Sequence, residues 1–535
     1  MRILLRIIIF IIFIIPAADI SGQIYIRDIH IIRKNVFDST RGDWFFAAPV
    51  FNALHTKTRE YIVRDELLFA EGDEVTEDIL YETERNLRAT ELFTDAYILL
   101  DSIAYDEYDA YVVTHDKWSL YPSILVGTGG GDEKFGGGIE EKNFLGLGTY
   151  LRFDASHRSE NDIGWEGRAM LSQQRLFRSE LTLQANIQAN QFRTEDTLRL
   201  FKPYRTLDTR TAYGIEGSDG HGSDFIFTND SMYLAPFQER QAKGWFSHAW
   251  WRKDRVFITG LVEYHDVRRP DPANRRAFDN SGKILIAFSS IAQDFVTTSM
   301  LDDYFPTDIP VGGWGSAIIG KTFPIGSEGD GLYYVAGQGE RSYYAKDIYL
   351  FGRVVGASGF ARSQGRYTYE EFYGVGFYRL NRNLLLTGRV RQQTVWNWDA
   401  QRQLIIDTDY GLRGYESNFA NGDNRFLANA ELRYFPDWEF AVVNFSAVAF
   451  WDIGSVWDQE VDLADARFYN SAGLGLRLHF TKDKDPGSTF RLDFAYNFEE
   501  KRFGGIIFTT RQLFSAFEKH IFRLPQVFGL EFDYE

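Results

Sequence analysis

The sequence predicts a transmembrane antiparallel β-barrel of about 16 strands, preceded by one small α+β domain. Apolar and polar residues alternate strictly in many segments, as in Asn444–Gly454. Aromatic residues make up 16% of the chain although its mean hydropathy is only -0.29, which is typical of half-apolar strands with aromatic girdles. Beyond the N-terminus no apolar run reaches the roughly 18 residues that a spanning helix needs.

Composition limits the possible functions. The 535 residues suffice for a large domain and a small one. The chain has no cysteine, which excludes disulfides, thiol catalysis, cysteine-bound metals and a lipid anchor on cysteine. A net charge of -17 argues against a nucleic-acid partner and is typical of acidic, solvated loops.

The N-terminus is typical of a targeting segment. Arg2 and Arg6 are followed by the short apolar stretch Ile7–Ile15 and then by small residues. This pattern predicts a cleaved secretory signal over residues 1–22.

The next part, residues 23–116, predicts a small domain with the order β-α-α-β-β. Its first strand shows a slip in its alternation, and 38–56 is expected to be a loop or an insertion. The second helix is expected to begin after Thr76, a favourable N-cap. The predicted elements are strands at Ile24–Phe37, Ala96–Ile103 and Asp109–His115, with helices at Lys57–Phe69 and after Thr76.

Residues 117–517 predict the barrel, because helical periodicity stops there and alternating segments follow. At ~25 residues for a strand and its turn, this length gives about 16 strands. Three polar segments are interpreted as long loops: Thr194–Lys202, Arg268–Ser281 and Trp396–Gly411. Residues 518–535 are either an extension or, through Phe528–Tyr534, part of the closing strand.

The last strands alternate most clearly, with charged residues on one face only. Arg477 and Arg491 lie on that face, and each would cost ~2–4 kcal/mol at mid-depth in lipid. The charged face therefore lines the barrel lumen.

A loop near 397–424 is predicted to fold back into this lumen, around an arginine. Arg413 lies between Gly411 and Gly414, which permit close approach to the wall. Glu431 and Asp452 lie on the lumen faces of the following strands. An arginine fork between these carboxylates would hold the loop in place. The alternative is that all three are ordinary lumen charges without a shared role.

No enzyme class is indicated. The nine histidines are scattered, and no nucleophile elbow, metal-binding pattern or phosphate loop is present. We therefore expect no catalytic activity, no metal and no cofactor.

Several ordered motifs resemble the BamA/TamA superfamily of bacterial outer-membrane proteins, in which a 16-stranded barrel follows periplasmic POTRA domains. The N-terminal stretch Leu67–Arg88 resembles a POTRA domain, the alternative being an unrelated small α+β domain. The motifs are EEKNFLGLG (Glu140–Gly148), GLRGY (Gly411–Tyr415), FWDIGSVWD (Phe450–Asp458), SAGLGLRL (Ser471–Leu478) and FRLDFAY (Phe490–Tyr496).

The resemblance implies specific roles for residues. Arg413 would bind Asp452 and Glu431, with Gly414, Tyr415 and Gly454 in the same motifs. The first and last strands would meet in a weak seam, Ser119–Gly127 against Ile506–Phe517. The seam residues taken from this alignment are Ile124, Gly127, Ile507 and Phe517.

The resemblance also implies a function and a location. The chain would assemble or insert outer-membrane proteins, or translocate polypeptides, in a Gram-negative-type bacterium, with the POTRA-like domain in the periplasm. Its partners would be outer-membrane lipids, unfolded β-barrel or secreted client polypeptides, and possible periplasmic accessory proteins. The alternatives are a dedicated two-partner-type secretion pore and a passive transport or structural barrel. The single POTRA-like domain departs from the superfamily, as do the residues beyond the usual terminal aromatic.

Overall fold

The computed structural model describes residues 24–37, 48–206, 209–228, 231–251, 254–299, 307–326, 331–361, 364–440, 443–480, 489–509 and 522–533. The predicted signal, residues 1–22, lies outside these ranges, as does Phe517. The chain forms two compact units. The first contains residues up to Leu120 together with Lys142–Thr149, and the second contains the remainder.

The first unit is a small α+β domain. Its sheet has the order β2-β1-β4-β3, and β1 and β4 run parallel with a register shift between Ile26 and Ile29. Amphipathic helices cover the sheet and bury Val63 and Leu87 completely. The elements are β1 (Ile24–Lys34), α1 (Ala48–Leu54), α2 (Glu60–Asp65), β2 (Glu74–Val75), α3 (Glu77–Ala89), β3 (Phe93–Ala104) and β4 (Glu107–Asp116).

This unit contains two elements, helix α1 and strand β2, in addition to those of the expected β-α-α-β-β order. Helix α1 lies within the segment 38–56 that was expected to be a loop or an insertion, and the two-residue strand β2 extends the sheet beside β1. Within the described ranges, no helix is long and apolar enough to cross a bilayer.

The second unit is a closed antiparallel β-barrel. Short 3₁₀ turns at Glu160–Asp162, Leu176–Arg178 and Pro272–Asn274 lie in its connections. The strands are β5 (Leu120–Gly129), β6 (Asp132–Phe144), β7 (Thr149–Arg158), β8 (Gly164–Gln173), β9 (Thr182–Ala189), β10 (Arg193–Lys202), β11 (Thr211–Thr228), β12 (Ser231–Trp250), β13 (Arg255–Arg268), β14 (Ser281–Thr298), β15 (Thr307–Pro324), β16 (Tyr333–Ala345), β17 (Ile348–Ala361), β18 (Gln364–Asn381), β19 (Leu384–Trp396), β20 (Leu404–Ile406), β21 (Ala420–Gly422), β22 (Asn424–Tyr434), β23 (Glu439–Phe440), β24 (Val443–Trp457), β25 (Tyr469–Phe480), β26 (Phe490–Asn497) and β27 (Arg502–Thr509).

The barrel wall has 20 strands over the described residues, so the expected number of about 16 was wrong. Strands β20 and β21 form a separate hairpin, and β23 is a short piece paired with β24. The expected length per strand was too large because several turns are only two residues long, as at Gly130–Gly131 and Lys346–Asp347. In addition, Thr194–Lys202 is not a loop but most of strand β10, whose many charged residues mask its alternation.

The predicted alternation is present in the wall. On β24, Ala447, Ala449 and Trp451 are exposed on the outer surface, whereas Val448 and Asp452 are buried on the inner one. On β25, Leu474 and Leu476 face outward, while Arg477 and His479 are buried inside. An apolar exterior and a charged interior suit a barrel that lies in lipid.

The lipid-facing surface leads to a first prediction. Leu474→Arg puts a guanidinium at mid-strand, where the side chain is 66% exposed on the outer face. We expect it to destabilise the protein, lowering the free energy of unfolding by ~2–4 kcal/mol. Urea titration of the protein in lipid vesicles, followed by tryptophan fluorescence, measures this value. The control is Val461→Arg, in the connection between β24 and β25, and its effect should be much smaller. Equal effects of the two substitutions would contradict the assignment of the outer face to lipid.

Candidate functional site

Residues 397–423, here called the arginine loop, connect β19 to β22 and fold into the lumen. The hairpin of β20 and β21 belongs to this loop. Leu404, Leu412 and Arg413 have no exposed surface. Such complete burial places the loop inside the wall, where the sequence predicted a segment near 397–424.

The turn that carries Arg413 is built from one hydroxyl and two glycines. Thr408 Oγ1 donates to the carbonyl of Tyr415 at 2.6 Å and accepts from the backbone N–H of Gly414 at 3.2 Å. Gly411 and Gly414 have φ angles of 111° and 85°, a region that other residues rarely adopt. The backbone on both sides of Arg413 therefore requires glycine.

Asp407 fixes the base of the same turn. Its carboxylate accepts the backbone N–H groups of Tyr410 at 3.0 Å and Asn418 at 2.8 Å. Burial raises the pKa of Asp407 to about 7, although these N–H groups act in the opposite direction. The turn is thus held at both ends by side chains of the loop itself.

Arg413 binds carboxylates from three strands. Its Nε and Nη2 donate to the two oxygens of Asp452 on β24, at 2.7 and 2.8 Å. Its Nη1 donates to Glu431 Oε1 on β22 at 2.8 Å and to Asp493 Oδ2 on β26 at 3.3 Å. All four side chains have zero exposure. The structure thus brings together the predicted Arg413, Glu431 and Asp452.

Two partners were missed at the level of sequence. Asp493 is the third carboxylate, and the ring of Phe450 lies under the guanidinium, 3.5 Å from its carbon to the ring centroid. Alternation had already assigned both residues to the lumen face of their strands. What the alternation could not supply was the height of each residue relative to Arg413, which depends on the strand register.

Further arginines surround these carboxylates. Arg433 binds Glu431 at 2.8 Å, Arg477 binds Asp493, and Arg491 lies 3.2 Å from Asp493. Burial alone would lower the pKa of Arg413, but the charges and hydrogen bonds of Asp452, Glu431 and Asp493 raise it above its ordinary value. Arg413 therefore stays charged, and the carboxylates are each paired with at least one guanidinium.

The other residues named with Arg413 contribute packing. A Cβ on Gly414 would stand 2.8 Å from Ala495 Cβ, and one on Gly504 would stand 1.9 Å from the carbonyl oxygen of Gly414. The Tyr415 hydroxyl donates to the carbonyl of Asn470 at 2.9 Å. Gly454 lies against Leu412, since a Cβ there would be 3.5 Å from that side chain.

The seam of the barrel lies beside this loop. Strand β27 pairs with β5 antiparallel, and within the described residues their register is one pair, Phe508 with Thr128. Gly127 adjoins it, since a Cβ there would stand 3.3 Å from the Phe508 carbonyl oxygen. By comparison, β14 and β15 are paired over their full 18-residue lengths.

The predicted seam residues Ile124 and Ile507 lie on β5 and β27, the two strands that meet at the seam, but their side chains do not face each other. Ile124 is 79% exposed on the outer surface, whereas Ile507 is 3% exposed and packs inside with Phe450. The register that joins Phe508 to Thr128 places Ile507 near Gly129. Phe517, the fourth predicted seam residue, lies outside the described residues.

The arginine loop contacts both sides of the seam. On the side of the last strands, its Gly414 carbonyl accepts from Asn497 at 3.3 Å and touches Gly504 of β27. On the side of the first strands, the N–H of Ser417 donates to the carbonyl of Gly130 at 3.1 Å, and Thr408 packs on Gly129. The loop therefore joins β5 to β27 from within the lumen.

Among the residues described by the structure, no group of three or more histidine or acidic side chains is placed to hold a metal ion. The architecture is a closed antiparallel barrel with an apolar exterior and a charged, loop-filled interior. That architecture is the one found in outer-membrane barrels.

The chain was compared with protein families, curated proteins and solved structures. No protein-family model matches the chain, and no curated protein matches it. Among solved structures, BamA from Haemophilus ducreyi lacking POTRA domains 1–3 has a TM-score of 0.45 at 12% identity, over 90% of this chain and 84% of that one. CdiB from Escherichia coli gives 0.42 at 10% identity, over 90% and 75%. CdiB from Acinetobacter baumannii gives 0.43 at 13%, over 91% and 73%.

The arginine cluster leads to a second prediction. Arg413→Ala leaves three buried carboxylates short of one cation, and we expect it to lower the free energy of unfolding by about 3–5 kcal/mol. Arg413→Lys keeps the charge but loses the two-pronged contact, so its effect should be intermediate. Heat-modifiable migration on gels and urea titration in vesicles report the folded fraction.

The control is Arg467→Ala, which removes the exposed ion pair with Glu499 and should change stability little. If Arg413→Ala were as stable as Arg467→Ala, the cluster would not be what holds the loop.

Proposed function

We propose that this protein is an outer-membrane factor that assembles or inserts β-barrel proteins, or translocates polypeptides, through its seam. The observation that carries this proposal is the junction of β5 and β27, with one described register pair and a buried arginine loop across it. It acts without catalytic chemistry, because client folding supplies the free energy.

The seam is the place where the wall opens at least cost. Each backbone hydrogen bond contributes ~0.5–1.5 kcal/mol. The junction of β5 and β27, which has few bonds among the described residues, would therefore separate before a fully paired one such as β14–β15. An opened edge presents unpaired N–H and C=O groups, which another strand can satisfy. A client strand would therefore add to β5 or β27 by the same geometry that builds the wall.

The arginine loop would restrain this opening. It contacts Gly130 near β5 and Asn497 at the end of β26, so separation of the seam must break contacts of the loop with one side or the other. Because Arg413 is bound to β22, β24 and β26, the loop would remain with the last strands. The contacts with Gly129 and Gly130 would be the ones that break.

The N-terminal unit, which we propose to be a POTRA-like periplasmic domain, would receive extended clients at the edge of its sheet. Strand β3 is the longer of the two edge strands, and Leu99 and Ile103 on it are exposed. Helix α3 already occupies part of this edge, since Glu84 accepts from the N–H of Ile98 at 2.8 Å and Arg88 donates to the Ala96 carbonyl at 2.5 Å. Strand addition would then use the later part of β3.

A disulfide across the seam tests the proposal. The chain has no cysteine, so Thr128→Cys with Phe508→Cys introduces a unique pair at opposed positions. We expect oxidised protein in vesicles to lose the ability to fold an added urea-denatured barrel protein, and reduction to restore it. The measurement is the fraction of added client that becomes heat-modifiable.

The matched control is Val262→Cys with Ile284→Cys, an outward-facing pair between β13 and β14. Its disulfide should leave activity unchanged, because that part of the wall is not expected to open. Full activity of the oxidised seam pair would refute lateral opening. Depletion in cells then separates general assembly, with loss of many barrels, from dedicated secretion, with loss of one exported protein.

A further inference from the structure

The segment 522–533, here called the inner segment, runs through the lumen of the barrel rather than in its wall. At one end Phe522 packs on Tyr204 and Phe257, with ring centroids 5.1 and 5.7 Å apart. At the other end Phe532 pairs with Gln403 of the arginine loop. The segment therefore connects the β10–β11 side of the lumen to the arginine loop.

The middle of the inner segment covers an apolar part of the inner wall. Val527 and Phe528 are each 6% exposed and belong to the largest buried apolar cluster of the barrel. The wall residues of this cluster come from β12 to β19 and include Trp245, Leu285, Tyr334, Val355, Tyr369 and Val395. Without the inner segment, this apolar surface would face water inside the lumen, which is unfavourable.

The wall, through Tyr334, and the arginine loop, through Arg402, also bind the backbone of the inner segment. The Tyr334 hydroxyl donates to the carbonyl of Gln526 at 3.2 Å and accepts from the N–H of Phe528 at 3.1 Å. Arg402 donates to the carbonyl of Gly529. Gly529 has a φ of 91°, and a Cβ there would stand 3.1 Å from the ring of Tyr369. The surface formed by these residues thus fits an extended chain with a bend at Gly529.

Charged groups fix its far end. Asp533 Oδ2 accepts from Arg425 at 2.6 Å and from the N–H of Ile405 at 2.9 Å. The N–H of Asp533 donates to the carbonyl of Gln403 at 2.8 Å, and its carbonyl accepts from Gln403 Nε2 at 2.6 Å. Arg425 and Gln403 are 4% and 3% exposed, so these are buried, directed contacts.

We propose that the lumen contains a peptide-binding groove and that the inner segment is its resident ligand, a removable plug that closes the pore. The ligand class is an extended peptide with an aromatic residue for the apolar patch, as at Phe528, and a carboxylate five residues later for Arg425, as at Asp533. A barrel of 20 strands is wider than those of 16–18 strands that leave an aqueous channel. Such a lumen is closed only if it is filled, and the arginine loop and the inner segment fill it together.

The experiment compares full-length proteins in planar bilayers. The double substitution Phe528→Ala and Asp533→Ala removes the aromatic ring from the apolar cluster and the carboxylate from Arg425. We expect this variant to have a several-fold higher single-channel conductance than wild type. The control is Leu530→Ala in the same segment, where the side chain is 39% exposed, and its conductance should match wild type. A synthetic peptide with the sequence of residues 522–535 should close the doubly substituted pore, whereas the same peptide carrying both alanines should not.

A doubly substituted barrel that is heat-modifiable yet conducts like wild type would overturn the proposal. If that variant fails to fold, a cysteine pair decides the question: Gln403→Cys with Phe532→Cys ties the segment to the arginine loop. In mild urea that leaves the barrel heat-modifiable, the reduced form should conduct and the oxidised form should not. Equal conductance in both forms would exclude a removable plug. Neither outcome bears on client insertion at the seam, which the Thr128 and Phe508 pair tests separately.

Discussion

The guanidinium of Arg413 and its three carboxylates are the interaction on which the interior of the barrel depends. Glu431, Asp452 and Asp493 come from three different strands of the wall, and a single loop residue binds all three at zero exposure. Buried charges without partners are strongly destabilising, so the loop and these strands hold one another in place. The position of the loop in turn brings its backbone against both strands of the seam.

The number of strands explains why the interior is crowded. A wide barrel has a large inner surface, and part of that surface here is apolar, which water alone would cover poorly. Among the described residues, two pieces of chain lie in this space: the arginine loop beside the seam, and the inner segment against the apolar wall cluster on β12–β19. They are joined by hydrogen bonds between Gln403 and Asp533, so a movement of either one must break or shift these bonds.

Alternation predicted what depends on local pattern. It assigned the lumen faces of β24, β25 and β26, and with them the side of the wall on which Asp452 and Asp493 lie. It failed where register or composition decides: the charged strand β10 was interpreted as a loop, the strand number was too low, and the seam register that joins Thr128 to Phe508 could not be predicted from it. The position of residues 522–533 depends on contacts with residues that are distant in the sequence, so the local sequence pattern could not predict it.

The three carboxylates of Arg413 also make the cluster a sensor of correct assembly. A slip of one residue in β22, β24 or β26 would turn its acidic side chain from the lumen toward the hydrocarbon of the bilayer. The guanidinium would lose a partner in the same event, so the misaligned barrel would be penalised twice. The cluster therefore destabilises misaligned pairings of strands in the last third of the chain, independently of any helper that guides folding.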